Sequence, residues 1–465
     1  MLKLLGLGSA SAVLSACAGP TPQVVEKVVK ETVEVEKVVK ETVEVEKVVT
    51  KEVEKVVTAT PAPSGPRTIQ MSTWAYSPAE EQLNKDLIAK FGETHAPDKV
   101  ELVLIPGENY NQKLEIMSAG GIAPDVIYWD PDVGYSFYSK GWFRSLQPYF
   151  DTNPDLTNPD LYAVSAYKTS NFGGEQYAVP NGTYCNLVFY NKDLFDKEGV
   201  AYPAGKWTWS DYVEVAKKLT KMEGSNFTQF GTILQYFNAY WTWDSLVWGE
   251  GGDLFDKAEM PTKCTLDNDA GYFAWQWIQD LVYKHKVAPP AAQQSALGGD
   301  FGTGKVAMYI DGTWAISSYT QIEAFKWDLA DLPGGSKETA TPIFTGCYWL
   351  TQQSKEPDLG WEYLQFLLSE DGQMIFAANG MTTPVLKKAA TSDVFLNLKG
   401  APEHHLLRMS AIDNYGRGSY YYHPEFAEIQ SKIWGPEMDL VLLNEKTGKE
   451  AIDTVVAKTN EMLAG

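Results

Sequence analysis

GTGKVAMYIDGTWAIS, residues 302–317, decides the fold. Val306 to Ile310 is an apolar run closed by Asp311 and Gly312, which is strand length rather than helix length. Trp314, the largest side chain, comes just past the glycine. In open α/β sheets, ligands bind beyond the carboxyl ends of the strands. Trp314 is therefore placed where a sheet of that kind opens a cleft.

Outward from this stretch, strand-like and helix-like segments alternate. IQMSTW (69–74) reads as a strand, and Ser77-Pro78-Ala79-Glu80 as a capping box with proline at the first helical position. Leu83, Leu87, Ile88 and Phe91 follow at helical spacing. VELVLI (100–105) is a second strand, NQKLEIMSAG (111–120) a helix, and DVIYW (125–129) a third strand. LVFYN (187–191) and VAMYI (306–310) are later strands, with a helix predicted over about 210–221. This order predicts parallel sheets with helices on both faces. Nearly 400 residues is large for one such unit, so two lobes are expected. Several strands end alike: Trp74, Trp129-Asp130-Pro131-Asp132, Asp311 to Trp314, and Gly346-Cys347-Tyr348-Trp349. A single tryptophan is more often core than ligand contact. Four at strand ends, beside carboxylates, argue for a cleft.

Composition narrows the partners. The chain has 465 residues, is 44% hydrophobic and 21% charged, and carries a formal charge of −21. That acidity excludes a nucleic-acid binder and disfavours anionic ligands. Aromatics make up 13%, including 15 Trp and 25 Tyr, which suits sites that match a flat apolar face with a polar edge. The five histidines (95, 285, 404, 405, 423) show no metal-ligand spacing, so neither metal nor cofactor is expected. No Gly-x-Ser-x-Gly, His-Glu-x-x-His or Cys–His arrangement appears, and the reading is a binding protein rather than an enzyme. Two carboxylates across a sugar cleft would be the signature of the competing glycosidase reading.

The N-terminus is an address. Lys3 precedes an uncharged stretch, Leu4 to Ala16, of signal-peptide length. Leu14-Ser15-Ala16-Cys17 resembles a bacterial lipobox, which implies a signal peptide over 1–16, cleavage before Cys17, and lipid on Cys17. Lys-Leu-Leu-Gly-Leu-Gly (3–8) looks like the middle of a twin-arginine signal, leaving both the start codon and the Sec or twin-arginine route open. VEKVVKETVE occupies 25–34 and again 35–44, and a degraded copy starts at Val45. This low-complexity segment ends in the Pro-rich TATPAPSGP (58–66). Residues 17–66 read as a solvated tether that would span on the order of 160 Å if extended. Of the remaining cysteines, Cys185, Cys264 and Cys347, buried thiols are the default reading, with one disulfide left open.

Six stretches then occur in one order: GGIAPDVIYWD (120–130), YAVPNGTYCNLVFYNKDLFDKEGV (177–200), WTWSDYVEVAKKLT (207–220), GEGGDLFD (249–256), GTGKVAMYIDGTW (302–314) and SKEPDLGWEYLQFLLSEDGQ (354–373). Together they resemble the family 1 extracellular solute-binding proteins, the sugar-binding subunits of ABC importers. The resemblance implies a two-lobed periplasmic-binding-protein-like α/β fold with hinge crossovers and a ligand cleft between the lobes. Lobe 1 would be 67–178 plus 346–381, and lobe 2 would be 180–345 plus 383–465. It implies ligand contacts at Trp314, stacked on a sugar ring; at Asp130 or Asp132, on hydroxyls; and at Asn181 and Tyr184, after the first crossover. Trp74, Tyr348 and Trp349 match positions near the hinge side. More loosely, the run 240–248 offers Trp243 and Trp248, and Arg417 with Tyr420 to Tyr422 would either bind hydroxyls or brace a loop. A carbohydrate, a membrane permease, a lipid anchor to the cell membrane and a monomeric state follow as expectations. A peptide or polyamine ligand is the alternative on the same architecture. The chemistry stands without the family, since a pyranose offers an apolar face to rings and a polar rim to carboxylates and amides.

Overall fold

The structure is a computed structural model that describes residues 65–75, 77–296 and 300–464. The signal segment, Cys17 and the repeats lie outside the described residues. No helix among the described residues is long and apolar enough to cross a membrane.

Two sheets organise residues 67–465. The first runs in the order Lys99–Pro106, Thr68–Ala75, Val126–Trp129, Cys347–Leu350, Ala178–Pro180. Thr68–Ala75 pairs in parallel with Lys99–Pro106 over eight residues, Thr68 opposite Lys99 through Ala75 opposite Pro106. Helix Pro78–His95 joins them. The Ser77 hydroxyl accepts from the Glu80 amide at 3.2 Å, Pro78 opens the first turn, and Leu83, Leu87 and Phe91 face the core at the spacing the sequence shows. The second sheet runs Gly416–Gly418, Thr341–Phe344, Gly182–Asn191, Val306–Gly312, Asn226–Thr232, Lys221–Glu223. Gly182–Asn191 is its ten-residue axis and also pairs with Trp327–Ala330 and Thr383–Pro384. The helix predicted over about 210–221 spans Trp209–Leu219, opened by a capping box between Thr208 and Asp211.

The sheets are mixed, which corrects the parallel expectation. Thr68–Ala75 is parallel to both Lys99–Pro106 and Val126–Trp129. Val306–Gly312 is parallel to Asn226–Thr232. Gly182–Asn191 and Cys347–Leu350 are antiparallel to strands on both sides. These two enter their sheets directly from the opposite sheet. No helix brings the chain back to the starting edge, as a parallel neighbour requires.

Two crossovers join the sheets, Pro180 to Gly182 and Phe344 to Cys347, and a third, Gly380 to Thr383, leads from helix Glu370–Asn379 into the second sheet's strand Thr383–Pro384. They are pressed together. The Asn181 amide donates to the Gly346 carbonyl at 3.0 Å. A side chain at Gly182 would collide with Thr382 and Thr383, and one at Gly346 with the Tyr128 phenol. Each lobe has its own core. Ile69, Leu87, Phe366 and Leu367 are in one, and Trp243, Trp275, Trp434 and Ile452 in the other. Cys185, Cys264 and Cys347 are buried and unpaired, so the option of a disulfide among them is not taken. Burial pushes the Cys264 and Cys347 thiols up to about 12, which leaves them unreactive.

Candidate functional site

The site begins at the strand end that ends in Gly312. The Trp314 indole lies across the glycine, and a Cβ at Gly312 would come within 2.2 Å of its six-membered ring. Glycine precedes tryptophan here because only a missing side chain lets the ring fold back over the strand end. Trp314 meets Trp241 edge-on at 5.3 Å, Phe344 at 5.5 Å and Tyr184 at 6.0 Å, and remains half-buried. Trp241 in turn stands 6.0 Å from the exposed ring of Tyr236. From the other sheet, half-buried Trp74 packs edge-on against Tyr128 at 5.0 Å and Tyr110 at 5.4 Å. The phenols of Tyr128 and Tyr184 lie 3.3 Å apart and connect the two aromatic groups at the crossovers.

Carboxyl groups rim these rings. Glu80 is hydrogen-bonded to the Trp74 indole, and burial pushes its carboxyl up to about 7. Asp130 stands at the N-cap position of helix Pro131–Ser139 without a side-chain bond to its first turn; burial first, then the neighbouring Asp132, raises it to about 8. Asp311 accepts from the Gly312 amide at 2.7 Å and from Tyr309, and burial holds it up at about 7. Among the described residues, no lysine or arginine forms an ion pair with Glu80, Asp130, Asp132 or Asp311. Such a rim offers hydrogen-bond donors and acceptors to uncharged polar groups.

The residues expected from the sequence divide. Trp74, Asp130 and Trp314 sit together around the crossovers with part of their surface open. Asn181 and Tyr184 are there too, but buried: the Asn181 amide donates to the Tyr184 phenol at 2.8 Å and to Tyr128 at 3.3 Å. They form the floor behind the rings. Asp132 is buried and takes a hydrogen bond from Tyr240 at 3.0 Å.

Three expectations are corrected by burial, and Arg417 takes the bracing alternative. Trp243 is packed against Trp275 and Trp434 inside the second core. Trp349 is fully buried, stacked on Phe143, with its indole N–H on the Trp129 carbonyl at 3.1 Å. Tyr348 is buried between Tyr128 and the first core. In strand Cys347–Leu350 every residue is covered on both faces, so neither ring of the Tyr-Trp pair has an open side. Arg417 is held by Asp253 at 3.0 Å and Glu338 at 3.1 Å over the Trp248 ring, and braces the second lobe.

Trp241, Tyr236, Glu80 and Asp311 join the site with no sequence pattern that marks them as contacts. Trp241, inside the 3₁₀ turn Tyr240–Thr242, keeps an open side, whereas Trp243, at the junction with helix Asp244–Gly249, is buried. Apolar periodicity in a nine-residue aromatic run could not separate them. Asp328, Glu403 and His404 also converge, away from these rings, but Lys192 lies 3.8 Å from Asp328 and 3.5 Å from Glu403, so the chain itself supplies the cation.

Known proteins share this fold. A galactooligosaccharide-binding protein of Bacillus subtilis is 24% identical over 375 residues, 78% of this chain and 82% of that one. The structure of an ABC substrate-binding protein from Listeria monocytogenes in complex with cycloalternan superposes with a TM-score of 0.78 at 23% identity, covering 86% of this chain and all of that one. The maltose/maltodextrin-binding domain from Bdellovibrio bacteriovorus bound to maltotriose gives 0.72 at 18% identity, over 86% of this chain and all of that one. Residues 74–374 match a single family description, and on that match the chain belongs to the bacterial extracellular solute-binding proteins.

Proposed function

We propose that the protein captures an oligosaccharide in the cleft between lobes 67–178 plus 346–381 and 180–345 plus 383–465, and hands it to an ABC importer. The observation that carries this reading is the ring system of half-buried Trp314, Trp241 and Trp74 with exposed Tyr236, rimmed by carboxyl groups that form no ion pair among the described residues. Rings cover the apolar faces of pyranoses, and Asp130 and Glu80, which keep part of their surface open, bond their hydroxyls. The names of the similar proteins support a saccharide of more than one ring. Binding, release and no bond cleavage is the proposed cycle. Lipid on Cys17 and the tether to residue 66 would hold a monomeric head at the outer face of the membrane.

Thermal unfolding against maltotriose, mannotriose, galactooligosaccharides, a tripeptide and spermidine, each near 1 mM, tests the reading. A micromolar ligand at that concentration stabilises by about 4 kcal/mol. Trp314→Ala is expected to weaken the saccharide that binds by about 2–3 kcal/mol, on the order of 100-fold, with the fold retained. An unchanged affinity in a folded variant would remove Trp314 from the site. The unpaired carboxyl rim favours a second reading, a polyamine ligand; stabilisation by spermidine and by no saccharide would select it.

A further inference from the structure

The Tyr420-Tyr421-Tyr422 run is not absorbed by the cleft. Its side chains alternate, as in a strand. Tyr421 packs in the second lobe's core against Phe255 at 5.0 Å and donates to Asp253 at 2.7 Å. Tyr422 points the other way, into an aromatic cluster of first-lobe residues, while Tyr420 meets Phe344 at 6.3 Å and donates to the Thr345 carbonyl at 3.0 Å. The backbone of Tyr422 is fixed to the second lobe: its amide donates to Ala258 and its carbonyl accepts from Met260, both at 2.8 Å. Its ring stands 5.4 Å from Phe172 and 5.7 Å from Tyr135, and its hydroxyl donates to the Thr169 carbonyl at 3.0 Å. One residue thus has its main chain in one lobe and its side chain in the other.

Helix Pro131–Ser139 of the first lobe makes the rest of the seam. Asp132 accepts from Tyr240 at 3.0 Å and from Gln430 at 3.5 Å. Ser136 donates to the Pro424 carbonyl at 3.1 Å, and Tyr135 to the Met260 sulfur at 3.3 Å. Gln430 opens a π-helical turn, Gln430–Trp434, an irregularity that recurs where a side chain has been re-aimed for function.

We propose that Tyr422 and Tyr240 are positioning residues that clasp the lobes together and set affinity without touching the ligand. Contacts present only when the lobes meet favour the binding-competent state, and every ligand that needs closure gains by the same factor. The inference rests on the reading of the cleft as a capture site that closes. Tyr240 and Tyr422 each lose one hydroxyl in the variants Tyr240→Phe and Tyr422→Phe, with the rings kept in place.

Amide hydrogen exchange on the ligand-free full chain tests the clasp directly. In the double variant, exchange in 131–139 and 420–430 is expected to rise at least threefold, with helix 448–463 unchanged. Affinities for maltotriose and mannotriose are expected to fall by one common factor, about fivefold, with thermal midpoints within about 2 °C. Unchanged exchange in 131–139 would overturn the clasp. A loss confined to one trisaccharide would also overturn it, because it would make the tyrosines ligand contacts. Where neither trisaccharide binds the unaltered protein, the exchange result alone decides the clasp, and the failure falls on the saccharide reading.

Discussion

At the residue scale, Gly312 and Trp314 act as one unit. The glycine is not at a positive φ; it is required because the indole occupies the space of its side chain. Gly312→Ala is therefore expected to push the ring off the strand end. Ligand affinity should drop about tenfold or more, with a stability cost of about 1–3 kcal/mol from overpacking; titration calorimetry and thermal unfolding read the two effects. Full affinity in the alanine variant would show that the ring has another resting place. The spacing Gly-x-Trp was legible in the sequence, and so was the strand end. The choice between Trp241 and Trp243 was not, because two rings two residues apart differ in burial, and only the partners Trp275 and Trp434 draw one of them inward.

At the scale of elements, helix starts follow the local signals of the sequence. Ser77-Pro78 opens its helix, and Thr208 opens Trp209–Leu219 with a reciprocal bond to Asp211. Thr208→Ala removes the acceptor of the Asp211 amide and is expected to cost about 1 kcal/mol. Calorimetry should show a drop of a few degrees or less, since each kcal/mol moves the midpoint of a large domain by only about 2–4 °C. No drop would mean that water caps this helix equally well. Strand direction was the weaker part. Alternation of strands and helices implies parallel neighbours only where the helix returns the chain to the same sheet. Gly182–Asn191 and Cys347–Leu350 come from the other sheet and reverse the sense.

At the scale of the molecule, the charge of −21 gathers partly where water is scarce. Asp311 is buried and its carboxyl is held at about 7, against roughly 4 for an unperturbed aspartate. A raised acid favours the folded state most at low pH, below its unfolded value. That contribution declines as the pH rises and is gone above the folded value. Asp311→Asn, which keeps an acceptor for the Gly312 amide, should therefore gain stability relative to the unaltered protein between pH 5 and pH 8. Paired thermal unfolding at the two values measures it. A constant difference would mean that Asp311 ionises freely in the folded chain. The interlobe seam belongs to this scale as well, since its partners lie more than 100 residues apart in the chain, as Asp132 and Tyr240 do.

The sequence by itself determined the alternation of elements, the caps, the presence of two lobes through its ordered motifs, and the aromatic strand ends at Trp74 and Trp314. These depend on residues within a few positions of one another. Only the tertiary structure decided which strands reverse, which rings keep an open face, and which tyrosines bridge the lobes. Burial is the reason: whether Trp349 or Trp314 is covered depends on what distant segments bring to its second face. Phe143 closes one, and Gly312, having no side chain, lets the other lie over the strand end with part of its surface open.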